Sequence, residues 1–171
     1  MARPWILDYD SANCTIGATV DILGERPTFL VLREAFNGVR RFDDMQRRTG
    51  IPRQVLTQRL SRLVDGGLLR KVPYQENGQR PRSEYRLTEK GLDLYPVVIS
   101  LLEWGERWMT DEQAPPVVEL RHRTCGATIH PHLACPSCGD PLTARDIEAI
   151  DRRPDIAPIE TLEGREARET A

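Results

Sequence analysis

From Ser11 to Gly67 the apolar residues recur at helical spacing in four successive blocks, each closed by a glycine. Ile16, Val20 and Leu23 share one face of a first helix that runs from Ser11 to Leu23 and stops at Gly24. Pro27 opens a second helix through Phe36, whose Phe29-Leu30-Val31-Leu32 run is apolar nearly all round, the pattern of a buried helix; Asn37-Gly38 ends it. A short third helix, Phe42 to Arg48, leads into Gly50-Ile51-Pro52. There Pro52 suits the first position of a fourth helix that reaches Asp65 and is ended by Gly66-Gly67. Leu68 to Tyr74 and Ser83 to Leu87 then read as two strands around an Asn77-Gly78 turn, with Arg80 and Arg82 near the tip.

Thr88 is the expected N-cap of a final long helix reaching about Met109, bent or interrupted near its start by Pro96. Leu101, Leu102, Trp104 and Trp108 exceed what a surface helix needs, so a second subunit is expected to cover them. This order predicts a mainly α fold with a small β-wing (α+β): a winged helix-turn-helix whose long last helix serves dimerisation, followed by a small Cys/His zinc ribbon. The expected organisation is a winged-helix and dimerisation domain over 1–110, a linker at 111–118 containing Pro115-Pro116, a ribbon module at 119–150 and a disordered acidic tail at 151–171.

The fourth helix carries the most informative surface. Leu56, Leu60, Leu63 and Val64 fall on one face; Gln54, Thr57, Gln58, Ser61 and Arg62 fall on the other, with Arg53 at the helix start and no carboxylate before Asp65. An ordinary solvated face mixes Glu with Lys, whereas amides and guanidinium groups without acids suit base edges in a major groove. Charge is segregated to match. The whole chain has a formal charge of −2, yet Arg40 to Lys90 holds thirteen Arg/Lys against six Asp/Glu, a local +7. Attraction to phosphate needs only such a local positive field. Arg80 and Arg82 on the wing are therefore expected at phosphates or in a minor groove, the plain alternative being a solvated hairpin.

Beyond the prolines, His122-Arg123-Thr124-Cys125-Gly126 and Cys135-Pro136-Ser137-Cys138-Gly139 form two ligand-x2-Cys-Gly units. The two-residue spacer lets both side chains of each unit face one tetrahedral ion, and three thiolates with one imidazole suit zinc. His122, Cys125, Cys135 and Cys138 are the expected ligands of a structural zinc. His130 and His132 lie on what reads as the tip of a small hairpin, five and three residues from the nearest knuckle cysteine, too far to close the site easily. Three unbonded thiols, or a Cys135/Cys138 redox pair, are the alternatives. Four filled positions would leave no open coordination site for hydrolysis, so an enzyme is not expected.

From Cys14 to Gly105 the chain resembles the HxlR-type family of bacterial winged helix-turn-helix regulators, relatives of the MarR group. The match is carried by Cys14, Leu30 to Glu34, Arg40-Arg41-Phe42, Val55-Leu56-Thr57-Gln58-Arg59-Leu60, Asp65-Gly66-Gly67-Leu68, Glu84 to Gly91 and Glu103-Trp104-Gly105. The resemblance implies a homodimer that places two recognition helices in successive major grooves of a palindrome-like operator, with first and last helices at the dimer interface. It also implies control of a neighbouring gene. The chain departs from the family in having Pro52-Arg53-Gln54 where a Ser-Pro step commonly precedes the Val-Leu-Thr-Gln block, and Thr15 where a proline commonly follows the cysteine. Several relatives sense oxidants or electrophiles through that cysteine. The positive end of the first helix would lower the pKa of Cys14 for the same role, an inert buried thiol being the alternative.

The partners expected are double-stranded DNA, a second copy of the chain and a small-molecule or oxidant signal, with no membrane. No apolar run is long enough to span a bilayer and Met1 to Trp5 contains no apolar signal core, so a cytoplasmic location is expected. A protein-interaction adaptor that kept the scaffold, with the ribbon as its docking module, is the second reading of function, and a thiol or zinc enzyme the third.

Overall fold

The structure is a computed structural model, and it describes residues 14–76, 78, 80–111 and 118–148. Two compact units emerge: 14–95, and 96–111 together with 118–148. The expected tail at 151–171 and most of the linker lie outside the described residues, as does Ser11; the first helix begins at Thr15 rather than at Ser11, because Cys14 is extended at φ −87° and ψ 109° and caps it.

The first unit is built from α1 (Thr15–Leu23), α2 (Arg26–Phe36), α3 (Phe42–Thr49), α4 (Arg53–Asp65), β1 (Leu69–Tyr74), β2 (Arg82–Leu87) and α5 (Glu89–Leu92). Its core is the set that the helical spacing picked out in α2 and α4: Val31, Leu32, Leu56, Leu60 and Leu63 are completely enclosed, joined by Leu23, Met45, Ile51, Leu68 and Leu69. Met45 brings α3 into that core, while Asp43 and Asp44 in its first turn and Arg47 and Arg48 in its last complement the helix dipole. Gly50, in the left-handed region at φ 67°, closes α3 and turns the chain toward α4. Pro52 lies one residue outside α4 rather than at its first position: its ring sets φ at −54°, but ψ is extended at 141°.

The strands pair antiparallel, Leu69 opposite Leu87 and Tyr74 opposite Arg82. A bridge between Arg41 and Glu84, with Tyr85 N–H donating to Arg40 O at 2.8 Å, adds the segment before α3 to this sheet and ties the wing to the helix-turn-helix. The wing's other end is locked by one side chain. Thr88 caps α5 by accepting from Gly91 N–H at 3.0 Å and donates its hydroxyl to Gly67 O at 2.6 Å. Gly91 is obligatory there, because a Cβ at this position would stand 2.2 Å from Leu68 O.

The long last helix is interrupted. The helical ladder stops in a turn at Asp93-Leu94, where Asp93 keeps right-handed dihedrals, and resumes as α6 (Tyr95–Met109), with Pro96 in its first turn. Proline there has no N–H to donate back to α5, so the ladder cannot run on through it. From Pro96 onward α6 belongs to the second unit with 118–148. Here β3 (Leu133–Ala134) and β4 (Pro141–Leu142) form a two-residue ladder, and Arg121 bridges Thr128. The segment between the two knuckles is thus not a hairpin closed on itself: Leu133-Ala134 pairs forward with Pro141-Leu142 because the Cys135-to-Gly139 turn reverses the chain between them.

Candidate nucleic-acid interface

Packing of Leu56, Leu60 and Leu63 into the core forces the opposite face of α4 outward. Arg53, Gln54, Thr57, Gln58 and Ser61 are all exposed, and none is an acid. Thr57 Oγ1 donates to Arg53 O at 2.9 Å, Ser61 Oγ to Asp65 Oδ2 at 3.3 Å, and Gln58 Oε1 accepts from Arg59 Nη2 at 3.2 Å. The Gln58 amide nitrogen keeps its donors.

Arg62 is placed differently from its neighbours in the expected set. It is half-buried, with Nη1 3.6 Å from Glu25 Oε1, and the same carboxylate binds the buried Arg59. Glu25, at the N-cap of α2, therefore draws two cations of α4 toward the body of the domain. Spacing along one helix cannot foresee this, because the acid comes from another helix.

On the other side of α4 a cleft opens between α3 and the wing, lined by Arg41, Phe42, Asp43, Arg53, Lys71, Tyr74 and Arg82, among others. Aromatic rings support its cations: the Arg53 guanidinium carbon lies 4.8 Å from the Phe42 ring centre, and that of Arg41 lies 4.8 Å from Tyr74. Asp43 sits between the recognition helix and the wing, 3.7 Å from Arg53 and 3.8 Å from Arg82. Arg41 also pairs with Glu76 at 2.5 Å, which raises the pKa of its guanidinium further. Arg80 is exposed at the wing tip, and Arg82 starts β2. Arg41, Lys71 and the two rings escaped the reading of the sequence; the Arg40-Arg41-Phe42 step was a usable signal, since it places cations next to an aromatic at a helix start.

Behind this surface Glu34 is buried beneath two arginines, at 2.7 Å from Arg33 Nη2 and 2.5 Å from Arg48 Nε. Burial pushes its pKa up, but the hydrogen bonds from Arg48 and Arg33 and their charges outweigh that and hold it below the usual glutamate range. The pair ties α2 to the end of α3.

A model of the HxlR-like helix-turn-helix family matches residues 22–113, more than half of the chain. The chain belongs to that family. The HxlR-like match covers α2 to α6, so the helix-turn-helix and wing described above are family features, and the protein is a helix-turn-helix transcriptional regulator. An uncharacterized HTH-type transcriptional regulator of Mycobacterium tuberculosis is 45% identical over 133 residues, 78% of this chain and 82% of its own length. One of Synechocystis is 36% identical over 100 residues, 58% of this chain and 73% of its own. Among solved structures, PA1607 superposes with a TM-score of 0.72 at 31% identity, covering 82% of this chain and 96% of that one. The redox regulator HypR in its reduced form superposes with a TM-score of 0.50 at 29% identity, over 55% of this chain and 92% of its own. Among the described residues no helix is long and apolar enough to cross a membrane.

The remaining expected site residues lie elsewhere. Cys14 caps α1, its Sγ accepting from Gly17 N–H at 3.4 Å. His122 Nδ1 is 3.2 Å from Cys125 Sγ. Cys135 lies within hydrogen-bonding reach of Cys138, whose N–H, with that of Ser137 and the Cys138 thiol, holds the Cys135 thiol below the ordinary range. Each knuckle thus brings its own pair together. Among the described residues no three His, Cys, Asp or Glu side chains are grouped to share one ion.

Proposed function

We propose that this chain is a sequence-specific, double-stranded-DNA-binding transcriptional repressor that acts in the cytoplasm as a homodimer on a palindrome-like operator. The observation that carries the reading is the acid-free face of Arg53, Gln54, Thr57, Gln58 and Ser61, forced outward by the core and flanked by the cationic cleft of the wing. Glutamine and arginine at exposed positions of a recognition helix read purine edges in pairs of hydrogen bonds, and wing arginines contribute sequence-independent phosphate contacts. Asp43, lying near both Arg53 and Arg82, holds them ready without neutralising the field, because these exposed pairs are weak.

The dimer is supported by apolar surface left uncovered in one copy. Ile16 and Val20, on the same face of α1 as buried Leu23 but nearer the start of the helix, are exposed, as are Leu101, Trp104, Trp108 and Met109 on α6. A second copy covering both sets would set two recognition helices at a fixed spacing, which a palindrome-like site matches. Cys14, at the positive end of α1, supports an oxidant-responsive thiol, and the name of HypR shows that a structurally similar protein is a redox regulator.

Binding to the protein's own upstream region and to an unrelated duplex, followed over a range of salt concentrations, tests the reading. Affinity should fall steeply with salt on both, with a sequence-specific excess on the first. Salt-independent binding, or none, would favour the adaptor reading.

A further inference from the structure

The two knuckles of the second unit are built to the same backbone plan. In the first, Gly126 N–H donates to His122 O at 2.8 Å and His122 N–H to Ala127 O at 2.8 Å; in the second, Gly139 N–H donates to Cys135 O at 2.8 Å and Cys135 N–H to Asp140 O at 2.9 Å. Both turns end on a left-handed glycine, Gly126 at φ 73° and Gly139 at φ 77°. Packing does not call for either turn. A Cβ at these glycines would meet nothing within 4 Å, His122, Cys125 and Cys138 are exposed, and no described residue of 96–111 or 118–148 is fully buried. A module of this size without an apolar core needs another source of cohesion, and a structural metal is a usual one.

Donor chemistry points to zinc, and the first turn already pairs its two donors. Zinc bonds of about 2.0–2.3 Å in a tetrahedron put neighbouring ligand atoms about 3.5 Å apart. His122 Nδ1 and Cys125 Sγ, at 3.2 Å, stand near that separation already. The other histidines stand away from the thiols: His130 Nδ1 lies 3.7 Å from Glu103 Oε2 on α6, and His132 Nδ1 lies 3.4 Å from His130 O. His122 is the imidazole that already stands beside a knuckle thiol.

We propose that one zinc ion joins the two knuckles through His122, Cys125, Cys135 and Cys138, and that this closure braces α6. The three thiols each release a proton to solvent on binding, and the imidazole binds neutral. Each pair is formed within its own turn, and since no three His, Cys, Asp or Glu side chains are grouped among the described residues, zinc would supply the link that brings the two pairs together. The brace runs through ribbon residues that pack on the helix. Val118 N–H donates to Glu106 Oε1 at 3.2 Å, and Leu120, Ile129 and Pro131 line a cleft with Ile99 and Leu102. A ribbon free to open would lose this surface and leave that face of α6 uncovered.

Elemental analysis of the full-length protein, purified reduced and without chelator, should find one zinc per chain. Replacing His122 by Ala, or any one of Cys125, Cys135 and Cys138 by Ser, should abolish it, whereas His130→Ala and His132→Ala should retain it. Cobalt substitution should give the spectrum of a tetrahedral thiolate site. Chelation of the unmutated protein, which avoids variants that fail to fold, should raise amide exchange across Val97 to Met109 by at least about tenfold while α2 and α4 keep their protection. Metal-free protein with reduced thiols would overturn the site, as would full zinc in His122→Ala combined with its loss in His130→Ala. Zinc bound with α6 exchange unmoved by chelation would overturn the brace.

Discussion

Residues 14–95 and residues 96–148 are held together by different means. Among its described residues the first unit encloses ten apolar side chains, and four of its helices contribute leucine, valine or methionine to them. In the second no described residue is fully buried, and α6 leaves Trp104 and Trp108 55% and 68% exposed. At about 25 cal/mol for each Å² of apolar surface removed from water, the first arrangement stabilises itself, whereas the second must draw stability from another subunit, a metal or both. The proposed DNA-reading face thus stands on the unit that has its own core, whereas the exposed tryptophans of α6 and the two knuckles lie in the unit that depends on something else.

The sharpest way to break this comparison is to truncate one side chain on each side of it. Leu60→Ala should cost about 2–5 kcal/mol in denaturant unfolding, since the site is wholly enclosed. Trp108→Ala should change the stability of a lone chain by less than about 0.5 kcal/mol yet weaken dimerisation, as seen by light scattering at falling concentration. A dimer indifferent to Trp108 and to Trp104 would mean that α6 is not the partner surface.

The next largest effect tests the first unit through its buried ion pair. Glu34→Gln should remove about 1.5–3 kcal/mol near neutral pH. Because the folded-state pKa of Glu34 is lowered, its contribution is fully present above the ordinary glutamate pKa of about 4.3 and is lost as pH falls through the lower folded value. Stability measured against pH should therefore show a shallower acid limb in the variant. An unchanged limb would mean that other carboxylates govern acid unfolding.

Changes on the exposed face of the same unit should leave stability alone and alter DNA reading. Gln58→Ala should reduce discrimination between operator and altered operators by about 1–3 kcal/mol, whereas Arg80→Ala should weaken all duplexes evenly and lower the salt slope by about one. Equal losses on every sequence from both variants would undo the division between recognition helix and wing.

Smallest in energy is Cys14→Ser. It should leave binding in reducing buffer unchanged while removing any release caused by peroxide or quinones, because the chemistry needs a thiolate. An undiminished oxidant response would move the sensor to the ribbon thiols.

The sequence by itself determined the features that depend on neighbours a few positions apart. The amphipathic spacing of Leu56, Leu60 and Leu63, the stops at Gly24 and Gly50, the Thr88 cap, the break near Pro96 and the two ligand-x2-Cys-Gly turns are all local, and the local pattern carries their physics. Tertiary structure alone decided the features that need a partner from far along the chain. Glu25 draws Arg62 off the face that helical spacing assigned it, Asp43 stands between Arg53 and Arg82, and the segment at Arg40 and Arg41 pairs with the wing. Ile16 and Val20 face outward although their spacing matches that of buried Leu23, and Leu133-Ala134 pairs forward across a knuckle. Spacing specifies which side chains share a face, but what lies opposite that face is set only when distant elements pack, because burial and charge pairing depend on distance in space and not along the chain.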